Sequence, residues 1–119
     1  MMDRQADARA AIARLEEESQ VVVLAIAERI EARSGAVARA TSAADNVESA
    51  RRDLAAVIGA GDAGLVQRQQ LVDALVAQIE AQGVLDRIDR EARDMLRRGE
   101  TIEGEIMAWR RHLSSQASV

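Results

Sequence analysis

The chain has 119 residues, 48% of them apolar, and 20 acids against 16 arginines leave a net charge of −4. It carries 24 alanines and one tryptophan, but no proline, cysteine, phenylalanine, tyrosine or lysine. Such a helix-former's mixture predicts an all-α fold and excludes an all-β or disulfide-built one, cysteine-held metals and thiol catalysis.

Apolar residues recur at helical spacing from the start of the chain. Ile12 and Leu15 open a stripe that Val22, Val23, Ile26 and Ile30 continue. Ser34-Gly35 reads as a break, which gives a first helix over about 4–33. Val37, Ala44, Val47, Leu54 and Ile58 carry a second helix over 36–58. Its alanine-rich start, Ala36 to Ala44, offers little burial and reads as soft or exposed. Gly59-Ala60-Gly61-Asp62-Ala63-Gly64 then stops the pattern, because each glycine costs a helix about 1 kcal/mol relative to alanine. Gly61 suits a positive φ in that turn, and Asp62 is placed to cap the next helix. Leu65, Val72, Leu75 and Ile79, then Leu85, Ile88, Ala92 and Met95, mark a third helix over 65–98. After Gly99 a closing helix over 101–113 carries Ile102, Ile106, Trp109 and Leu113 on one face, and 114–119 reads as a frayed tail.

This describes a single helical domain over 1–119 with two possible architectures. Either four helices form a compact bundle, or the helices run through the minor glycines as a long antiparallel hairpin with its central Gly-rich turn at 59–64. The hairpin leaves much of its apolar stripe wet and completes a four-helix bundle only by dimerisation, so a homodimer is expected. Leu15, Ile26, Leu54, Leu75, Ile79 and Ile88 are the expected core.

The charged residues read as solvated faces. Asp86–Arg90, Asp89–Arg93 and Asp94–Arg98 are i,i+4 pairs of favourable orientation, and Glu16-Glu17-Glu18 is an acidic surface. With both signs interspersed and no basic stripe, no nucleic-acid partner is expected. The apolar run Val21 to Ala27 is far too short to span a bilayer, so no membrane insertion is expected. No signal-peptide pattern opens the chain, and a cytoplasmic location is the expectation. A lone His112 followed by Leu113-Ser114-Ser115 reads as a surface histidine at a helix end. No metal ligand set and no cofactor motif is present, and none is expected.

The stretch Thr41-Ser-Ala-Ala-Asp-Asn-Val-Glu-Ser-Ala-Arg-Arg-Asp-Leu-Ala-Ala-Val-Ile58 resembles a helix of the cytoplasmic signalling coiled coil of bacterial chemoreceptors, over eighteen residues. The glutamate-rich hairpin tip of that family is replaced here by the turn from Gly59 to Gly64. The resemblance implies a small helical protein of a signalling pathway. Helical phosphatases of chemotaxis response regulators use an acidic residue and, four positions later, a glutamine that orients the attacking water. Glu16 and Gln20 have that spacing and are the candidate catalytic pair, although the family pattern prefers Asp. In size, acidity and helicity the chain also resembles export chaperones, which hold a partner's helix in an apolar groove.

The expectation from sequence is a non-catalytic adaptor or chaperone that binds another protein or itself in a bacterial signalling (chemotaxis-like) or secretion pathway. A response-regulator phosphatase and a structural subunit of a larger assembly are the alternatives. Ile102, Ile106, Trp109 and Leu113 are the expected interface, because so short a helix is marginal alone and must dock, and a lone tryptophan suits a contact anchor.

Overall fold

A computed structural model describes residues 4–117 and contains two helices joined by one turn, with no strand among the described residues. Helix α1 runs Arg4–Gly59 and helix α2 runs Leu65–Ala117. The fold is therefore an all-α helical hairpin, and its central turn lies in the Gly-rich segment that the sequence marks.

The turn closes through its backbone. Asp62 N–H donates to the Val57 carbonyl at 2.9 Å and Gly61 N–H to the Ile58 carbonyl at 3.0 Å, the paired bonds of a Schellman motif. That motif needs a left-handed residue, and Gly61 supplies it with φ of 87°. Gly64 also has positive φ, 66°, and its carbonyl accepts the first bond of α2, from Arg68 N–H at 2.8 Å. Asp62 acts one step earlier than a helix cap: its Oδ1 accepts from Gly64 N–H at 2.9 Å and fixes the residue that starts the helix.

The breaks expected at Ser34-Gly35 and Gly99 do not occur, so the helices over 4–33 and 36–58 are one, as are those over 65–98 and 101–113. Local propensity loses to packing at both places. Arg33 Nε donates to Asp89 Oδ1 at 2.7 Å just before Gly35, and Ala36 just after it is 1% exposed. At Gly99, Arg98 reaches Glu18 at 2.9 Å and Ile102 is fully buried. These anchors outweigh the roughly 1 kcal/mol that a helical glycine costs. The segment read as a frayed tail is helical through Ala117, and 118–119 lie outside the described residues.

The chain divides into two compact units, one of residues 1–30 and 91–119 and one of residues 31–90. In the first, Leu15, Ile102 and Ile106 form the buried cluster, with Ile12 and Val22 packed against it. Three ion pairs tie its two helical segments: Arg29–Glu91 at 3.2 Å, Glu18–Arg98 at 2.9 Å and Glu16–Arg110 at 2.9 Å. In the second, the buried apolar side chains are Ala36, Ala43 and Val47, at spacings of seven and four. The alanine-rich stretch is thus a packing surface and not the soft part.

Of the six residues expected in the core, Leu15 is buried, Ile26, Leu54, Leu75 and Ile88 are half-buried, and Ile79 is 71% exposed. A helix with one neighbour can hide only the narrow arc that faces it, and Ile79 lies outside that arc. In the charged run, the partners expected for Asp86, Asp94 and Arg98 at i,i+4 give way to others. Asp89 is held from α1 by Arg33, Asp94 lies 3.7 Å from Arg97, Arg98 is taken by Glu18, and Asp86 accepts from Gln82 Nε2 at 3.0 Å. A glutamine amide, an i,i+3 arginine and a cross-helix carboxylate take the places of Arg90, Arg98 and Asp94 in those pairs.

Candidate functional site

The unit built from both chain ends carries the candidate residues. Glu16 and Gln20 stand one turn apart on α1 and border a shallow groove of ≈ 290 Å³ with Ser19, Glu103, Ile106 and Arg110. Both are exposed. The Glu16 carboxylate accepts from Arg110 Nη2 at 2.9 Å, so its nearest neighbour across the groove is a cation. No group of three or more His, Cys, Asp or Glu side chains that could hold a metal occurs among the described residues.

The four residues of the expected interface separate. Ile102 and Ile106 are packed into the unit's own core, Leu113 is half-buried, and Trp109 is 37% exposed. The Trp109 indole meets the His112 ring edge-on, with centroids 6.0 Å apart and planes at 85°. The surface this stripe still offers to another molecule is therefore mainly that of Trp109.

A larger apolar face lies on α1 itself. Gln20, Val23, Leu24, Ala27 and Ile30 follow one another at helical spacing on the side turned away from Leu15, and all are exposed, Leu24 at 66%. Ser19, Gln20, Val23 and Leu24 line a shallow apolar depression there. Glu16 and Glu17 lie one turn before Gln20, and Glu28 flanks the far end, 3.7 Å from Arg29. Glu17 makes no ion pair. Sequence periodicity passes over this face because Val21 to Ala27 is apolar all round, and an all-round pattern names no side. The signal was the unbroken run itself: seven apolar residues are more than one neighbouring helix can cover.

No helix among the described residues is long and apolar enough to cross a membrane. No protein-family model, curated protein or solved structure matches this chain.

Proposed function

We propose that the protein is a non-catalytic helical adaptor or chaperone that binds an amphipathic helix of another protein, in a bacterial signalling or secretion pathway. The observation that carries this reading is the exposed α1 face of Val23, Leu24, Ala27 and Ile30. Glu17, which makes no ion pair, lies at one end of that face and suits a partner helix with an apolar stripe edged by Arg or Lys. A contiguous run of exposed apolar side chains along one helix face suits a place of contact. The resemblance of residues 41–58 to a signalling coiled coil supports the choice of pathway.

The test is capture from an extract of the source cell by the immobilised full chain, beside a Leu24→Glu variant of equal helix content. A protein retained by the parent and lost by the variant supports the adaptor reading. Equal retention by both, or none, overturns it.

A further inference from the structure

The part of α2 that follows the turn has more apolar circumference than α1 covers. Within the unit of residues 31–90, Leu71, Ala74, Leu75, Leu85 and Ile88 are half-buried, whereas Leu65, Val72, Val76 and Ile79 are exposed at 76, 52, 49 and 71%. At 3.6 residues per turn these four lie within about 60° of one another, and their centre is roughly 150° from that of the half-buried set. They form a second apolar face, nearly opposite the first.

The spacing of that face identifies what fits it. Leu65, Gln69, Val72, Val76, Ile79 and Gly83 alternate by four and three residues, the repeat by which one helix seats its side chains between those of another like it. Asp86 and Arg90 take the next two positions and end the apolar stretch. We propose that this seam is a docking surface for a second copy of the chain, with the two α2 helices parallel and in register.

Charge selects both the occupant and the direction. Arg68 flanks the seam on one edge, and Asp73, five residues on, flanks it on the other. In a parallel pair of identical helices those two positions face each other across the seam, and the two-fold axis makes the contact twice. Neither side chain forms an ion pair within the chain: Arg68 Nε donates to the Ala63 carbonyl at 2.9 Å, and Asp73 Oδ1 accepts from Gln69 Nε2 at 2.9 Å. The Arg68 Nη groups and the second Asp73 oxygen therefore remain for the other copy. Antiparallel packing would instead set the edge of Asp73 and Glu80 against its own copy, acid against acid. Gln69 is the one amide in the seam, and in register it meets the other Gln69, a contact that penalises slipped alignments.

The full chain tests this directly, because it has no cysteine. Val76→Cys and Ile79→Cys should each form a disulfide-linked dimer on mild oxidation, while Gln70→Cys, exposed but off the seam, should not. Parallel pairing brings every seam position beside its own copy, whereas antiparallel pairing can do so at one position at most. By sedimentation, Arg68→Asp and Asp73→Arg should each weaken the dimer about tenfold, and the double exchange should recover most of that loss. Helix content by circular dichroism verifies that each variant folds. A parent that stays monomeric throughout a dilution series overturns the proposal. So does linkage as efficient at Gln70 as at Val76, linkage at only one of the two seam positions, or a double exchange no better than the single ones.

Discussion

Seven glycines occupy two physical situations, and substitution should separate them. At Gly64 the backbone is left-handed, and an added Cβ would lie 2.9 Å from Leu54 Cδ1 and 3.0 Å from Val57 Cγ2. Gly64→Ala should therefore lose about 1–3 kcal/mol, from the disfavoured φ and the displaced side chains. Gly35 and Gly104 are helical, and an added Cβ would meet nothing within 4 Å. Gly35→Ala and Gly104→Ala should each gain about 0.5–1 kcal/mol, because alanine has less backbone freedom to lose on folding. Urea titration of the three variants checks the opposite signs. Residue type in the sequence does not distinguish these glycines; φ and neighbouring atoms do.

At the scale of the helix, the two isoleucines Ile102 and Ile79 make the contrast. Ile102 is fully buried against Leu15 and Ile106, and Ile102→Ala should cost about 2–5 kcal/mol by removing packed methylenes and leaving a cavity. Ile79 faces out, and Ile79→Ala should shift the stability of the dilute protein by no more than about 0.5 kcal/mol. Thermal unfolding at low protein concentration measures both. The three exposed or part-exposed ion pairs of the terminal unit contribute less, at most about 1 kcal/mol each. Their main effect is on alignment: each fixes which residue of α2 lies beside which residue of α1. From the sequence each belongs to an apolar stripe, with Ile79 expected in the core and Ile102 at an interface, and the structure reverses the two. Only the position of the neighbouring helix tells them apart.

At the scale of the molecule, the buried apolar residues are few and small: among the described residues, only Leu15, Ile102, Ile106 and Val47 are larger than alanine. Two helices bury too little apolar surface to stand far above the entropy of ordering the chain. Stability should then depend on association, so the thermal midpoint should rise with protein concentration. Scanning calorimetry over a dilution series gives the check, and a midpoint independent of concentration would place all the stability within one chain. The far-ultraviolet spectrum should show helix and no strand at every concentration that remains folded.

Composition and the glycine cluster alone set the all-α class and the position of the turn. Composition leaves no other economical secondary structure, and three glycines within six residues stop a helix whatever surrounds it. Local rules decided those features because local energies there run to several kcal/mol. The continuity of α1 through Ser34-Gly35 and of α2 through Gly99 was decided by tertiary structure, since one glycine's cost of about 1 kcal/mol is within reach of a buried neighbour and an ion pair. Which apolar residues face inward was decided in the same way. Val21 to Ala27 and Leu71 to Ile79 are rich in apolar side chains on more than one side, and a pattern with two apolar faces cannot say which one its own partner helix will take. Likewise Arg98 had a candidate partner along its own helix in Asp94, yet Glu18 reached it from the other, because folding brings distant charges as close as adjacent ones.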